Sequence, residues 1–153
     1  MQAATDFDLK IHLHRLLQDE PFFSAISRRV NKTASRALPT AGVTVDKETL
    51  QFKMLYNPDF FQDMPERHVK GVLIHEFYHL IFKHVTSRKP EGIPMIVWNI
   101  ACDLAINCMI GQDNLPENCC YPGVDRFEEY PEGKTAEFYL EMMKDDEQFG
   151  DGK

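Results

Sequence analysis

Gly71-Val72-Leu73-Ile74-His75-Glu76-Phe77-Tyr78-His79-Leu80-Ile81-Phe82 is the stretch on which the reading of this chain turns. On a helix, residues four apart differ by about 40° around the axis, so the His75 and His79 imidazoles project from one side. Two such rings can share one tetrahedral ion. Glu76, turned about 100° from His75, is kept off that ion but can reach a water at an open coordination position. The bland alternative is two histidines on a polar surface face. It conflicts with the neighbours Val72, Leu73, Ile74, Phe77, Leu80, Ile81 and Phe82, which describe a largely buried helix. Buried imidazoles and a buried carboxylate need partners, and a metal supplies them. Nitrogen-rich tetrahedral geometry makes Zn2+ the default ion, although His/His/Asp sites accept several divalent metals.

Two histidines leave a third ligand to be found. His84 lies nine and five residues past the pair, about 180° and 140° around an uninterrupted helix, and no glycine among Leu80, Ile81, Phe82 and Lys83 would break that helix. It reads as a last-turn residue and the less favoured alternative. His68 faces the right way but sits about 10 Å along the axis. Asp103 is better placed. Between Met95 and Ile110 the polar side chains are Asn99, Asp103 and Asn107, four apart along one stripe, and every other position is apolar. A buried helix of this kind must turn its polar stripe toward something polar, although the same stripe would also serve as the wet side of a surface helix. Asp103 is the one acid of the stripe and the expected ligand, with Asn99 and Asn107 supporting the ligands from behind. Cys102, about 100° away, belongs to the core.

Outward from these two helices, apolar spacing predicts helices over 6–15 and 21–32. Alternation of Leu50, Phe52, Met54 and Tyr56 after β-branched Val43 and Val45 predicts a hairpin over 43–56. Asp63 with Glu66 three residues on is a capping-box pattern with Pro65 in the first turn, so the His75 helix is expected over 64–85. The next helix opens at Pro94 and stops at Gly111. Prolines 116, 122 and 131 then hold the chain in loops until a short helix over 135–144. The fold class is α+β, mainly helical with a small β-hairpin. The expected organisation is one domain over 1–144 and an acidic, mobile tail over 145–153.

The 153 residues, 43% hydrophobic and 27% charged, suit one globular core. The apolar stretch over 93–110 carries Asp103, which argues against a membrane span. Residues 1–8 lack the basic flank and apolar run of a secretion signal, and the four cysteines form no disulfide framework, so a cytoplasmic setting with reduced thiols is expected. A net charge of −7 without a basic stripe disfavours nucleic acid.

The segments 71–84 and Trp98-Asn99-Ile100-Ala101-Cys102-Asp103-Leu104-Ala105-Ile106-Asn107 together resemble the putative metallopeptidase domain of bacteria and phages, often found beside a von Willebrand A-like domain. Leu55-Tyr56-Asn57-Pro58 and Lys134-Thr135-Ala136-Glu137-Phe138-Tyr139 look similar as well, so the resemblance covers about 43–143. It implies a zincin-like fold, with His75, Glu76, His79 and Asp103 as site residues, His84 as an alternative, and the strand over 50–56 as the edge that an extended peptide would join. A protein or peptide substrate follows, hydrolysed by a metal-activated water with Glu76 as general base. The competing expectation is a non-enzymatic, zinc-stabilised interaction module using the hairpin edge or the acidic tail. A deformylase-like amidase is disfavoured by the lack of a cysteine ligand upstream of the His75 helix. Tyr78, Tyr121 and Tyr130 are aromatic nominees for oxyanion stabilisation without positional support.

Overall fold

Asp8 caps the first helix, α1 (Leu9–Asp19), by accepting the Lys10 amide at 3.0 Å, and Pro21 opens the second, α2 (Pro21–Ser27), where its missing N–H would be unsatisfied anyway. The computed structural model describes residues 7–82 and 89–145. The helix expected over 21–32 stops at Ser27, because residues 30–34 pair as a strand, β1 (Val30–Ala34). Val30 and Thr33 are β-branched, and a ready partner strand decides where helical spacing is weak.

That partner is the second arm of the expected hairpin, formed by β2 (Ala41–Val45) and β3 (Phe52–Tyr56). They run antiparallel from Ala41 opposite Tyr56 to Val45 opposite Phe52. β1 lies parallel to β3 on its other side, giving the order β1-β3-β2. Two expectations are corrected here. Leu50 belongs to the turn, at φ 60 and 74% exposed, where Asp46 gathers the Glu48 and Thr49 amides. The 50–56 segment is not an edge: β3 is paired on both sides, and the edge strands are β1 and β2, of which β2 lies against α4.

A short helix, α3 (Pro58–Phe61), capped by Asn57, leads to the His75 helix, α4 (Glu66–Ile81). The expected Asp63 capping box does not form. Met64 precedes a proline and is biased away from helical backbone, so Pro65 is the cap and its carbonyl accepts the His68 and Val69 amides. Glu66 instead pairs with Arg15 at 3.0 Å. Residues 83–88 lie outside the described residues, and with them His84 and the expected last helical turn. The same holds for 146–153, most of the expected tail.

Helix α5 (Met95–Ile110) runs from Pro94 to Gly111, which takes φ 94 as it leaves the helix. Two 3-10 turns, Gln112–Asn114 and Asp125–Phe127, punctuate the following loop before helix α6 (Ala136–Asp145). The fold is α+β, about half helical with a three-stranded sheet.

Among the described residues, buried side chains form two clusters. One gathers α1, α2, the sheet and α4 around Leu16, Met54, Phe61, Leu73 and Phe77. The other gathers α5 and α6 around Trp98, Leu104, Tyr139 and Met143, with Cys102 fully buried among them. Helices α4 and α5 pack against each other at the seam, and the 3-10 turn at Gln112–Asn114 closes against α4.

Candidate metal centre

His75 and His79 leave α4 one turn apart, their ring centroids 4.7 Å from each other. Their Nε2 atoms are 3.0 Å apart, and Asp103 Oδ1 comes from α5 to 3.0 Å from the first and 3.2 Å from the second. Two ligand atoms about 2.05 Å from an ion at the tetrahedral angle lie about 3.3 Å apart. The triangle of two nitrogens and one oxygen is therefore close to one face of a zinc-sized tetrahedron. The donor set suits a borderline divalent ion such as zinc.

Asn107, one turn beyond Asp103 and fully buried, fixes the chemistry of His75. Its Nδ2 donates to the Cys120 carbonyl at 2.7 Å, so its amide oxygen is the atom 2.7 Å from His75 Nδ1. That oxygen can only accept, which places a proton on Nδ1 and makes Nε2 the nitrogen that faces the cluster, with a lone pair for an ion once its own proton has left. Asn99 is exposed and lines the open side of the site.

Burial alone would lower the His75 pKa, but hydrogen bonding to Asp103 and its charge outweigh this and hold it up to about 9. Burial would likewise raise Asp103, yet its hydrogen bonds to His75 and His79 keep it well below the usual carboxylate range. Glu76 is buried, and that burial pushes its carboxyl up, with the Asp103 charge adding to the rise and the two histidines opposing it. A carboxylate with a raised pKa is a better proton acceptor.

Two cavities open on the cluster and share Thr40, Ala41, His75, Glu76 and Asp103. One, of about 300 Å³, extends along Gly42 and Val43 of β2 toward Asn99. The other, of about 220 Å³, extends toward Phe60, Val72, Leu115, Pro116, Cys119 and Cys120. The polar stripe of α5 thus faces the site. His68 lies apart, bonded to the Asp113 carbonyl at 3.1 Å. Tyr78 stacks on Phe82 and meets Phe23 edge-on, and Tyr130 is buried in the second core; no tyrosine lines either cavity among the described residues. Sequence reasoning did not find Thr40, Ala41 or the 115–120 loop, which carry no motif and reach the site through the sheet order and the Asn107 bond to Cys120.

An uncharacterized protein of Thermotoga maritima is 27% identical over 99 residues, covering 65% of this chain and 25% of the relative, so the chain spans about a quarter of that protein's length. No solved structure matches the chain at a significant level. The family described as "Putative metallopeptidase domain" matches residues 6–153, nearly the whole sequence, and the chain belongs to that family.

Proposed function

We propose that this chain is a zinc-dependent, zincin-like endopeptidase acting on protein or peptide substrates, with His75, His79 and Asp103 holding the ion and Glu76 as general base. The observation that carries this reading is the convergence of three ligand atoms beside a buried carboxylate in a cleft bordered by an edge strand. A divalent ion held by these three residues would supply Lewis-acid chemistry, polarising a peptide carbonyl and acidifying a water.

The chain's own groups supply the rest. An extended peptide adds to the free side of β2 through main-chain hydrogen bonds, which lays its backbone across the cluster. Glu76 takes the proton of the attacking water and returns it to the leaving amine nitrogen, so no charged nitrogen has to depart as an amide anion. Asn107 holds the His75 ring with its Nε2 lone pair forward. The four cysteines form no disulfide with one another, which fits a reducing, cytoplasmic setting.

The test is metal content and cleavage of an unfolded protein, measured together. Glu76→Gln should keep near-stoichiometric zinc and lose cleavage by roughly 10²- to 10⁴-fold, the usual share of general acid–base catalysis. His79→Ala and Asp103→Ala should lose the metal. Undiminished cleavage by Glu76→Gln would sink the proposed base. Stoichiometric zinc with no cleavage by any preparation would favour the zinc-stabilised interaction module.

A further inference from the structure

We propose that the cavity between α4 and the 115–120 loop is a side-chain pocket that selects one large apolar residue next to the scissile bond. This rests on the peptidase reading and deepens it. Phe60, Val72, Leu115 and Pro116 supply apolar walls, Asn118 a polar one, and the acids of the lining are Glu76 and Asp103 of the centre itself. An acidic side chain placed there meets two carboxylates, and a basic one finds no acid beyond those engaged at the centre. An apolar side chain meets matching walls.

Size points the same way. A space of about 220 Å³ is below the roughly 300–1,000 Å³ of pockets that take a whole small molecule, and suits one side chain of a longer ligand lying on β2.

The pocket is also held rigidly. Leu115 is buried and follows the turn at Gln112–Asn114, which α4 grips by Arg67 Nε donating to the Asp113 carbonyl at 3.1 Å. The far side of the loop is tied by Asn107 to the Cys120 carbonyl. Both ends of the loop are therefore tied to the two helices that carry the cluster, which restrains its movement when a side chain of the wrong size enters.

The experiment uses the zinc-loaded full chain and a series of acyl-dipeptide hydroxamates that differ in the side chain beside the hydroxamate: Ala, Leu, Phe, Asp and Lys. Kd is measured by calorimetry, alongside cleavage-site mapping on an unfolded protein. Leu and Phe should bind at least about tenfold tighter than Ala, the lower end of what apolar pockets discriminate, with Asp weakest. Val72→Phe or Leu115→Phe, each narrowing the pocket, should abolish that preference while binding of the Ala compound persists. Equal binding across the wild-type series would overturn the pocket, as would a preference that survives both substitutions. Selective hydroxamate binding without any cleavage would overturn the peptidase reading and leave the pocket standing. Cleavage with no apolar bias on either side of the cut would do the reverse.

Discussion

Asn107 shows how much one buried side chain decides. It bonds His75 on one side and the Cys120 carbonyl on the other. Asn107→Leu should weaken zinc binding by roughly 10- to 100-fold, as loss of a partner behind a ligand commonly does. Leaving the Cys120 carbonyl and His75 Nδ1 unpaired should also cost about 1–3 kcal/mol of stability, read by denaturant unfolding of the metal-free protein. His75 makes a second prediction at this scale. Its pKa of about 9 means that the metal-free protein carries a proton there at neutral pH, which the ion must displace. Calorimetry at pH 7.5 in two buffers of different ionisation enthalpy should find about one proton released per zinc; none released would contradict the His75–Asp103 pairing. For the metal-free fold, the raised His75 pKa adds stability that is complete below 6.5 and lost as pH rises through about 9. The depressed Asp103 pKa adds stability that is present above 3.8 and lost as pH falls below it. Resistance of the metal-free protein to denaturant from these two groups should therefore peak between about pH 4 and 6.5.

Among elements, the contact of α4 with the turn at Gln112–Asn114 is the tightest constraint. A Cβ at Gly71 would stand 1.9 Å from the Asn114 carbonyl oxygen. Inside a helix, glycine to alanine is ordinarily favourable by about 1 kcal/mol, but overpacking against backbone costs about 1–3 kcal/mol. The clash is with a carbonyl that cannot rotate away, so overpacking wins. Gly71→Ala should lower stability by thermal unfolding, and a stabilised variant would contradict the packing described. Helices α4, α5 and α6 were legible in the sequence because proline, glycine and apolar spacing are local signals. Strand β1 was not, since Val30–Ala34 owes its conformation to pairing with β3, 22 residues on at each register position. The same order puts β2 at an edge of the sheet, where the family resemblance had pointed to 50–56.

For the whole molecule, the centre stands where two cores meet. His75 and His79 belong to the helix that packs with α1, α2 and the sheet, whereas Asp103 belongs to the helix that packs with α6. An ion held by both would clamp that seam. Zinc at a hundredfold excess over its Kd should add about 2.7 kcal/mol, or roughly 5–11 °C in Tm for a domain near this length. Scanning calorimetry with and without a chelator measures it, and an unchanged Tm would mean that the ion does not bridge α4 and α5. The sequence by itself determined the candidate site: His75, Glu76 and His79 need only helical periodicity to stand close together, and the lone acid in an apolar helix needs only burial to be drawn to a polar site. Tertiary structure decided that Asp103, expected from its place in α5, stands 3.0 and 3.2 Å from the two Nε2 atoms and that Asn107 sets the tautomer of His75. It also decided that β2 borders the cleft and that Leu115 walls the pocket. Each of these depends on how distant segments dock, and the free energy of docking is summed over contacts that no local window of sequence contains.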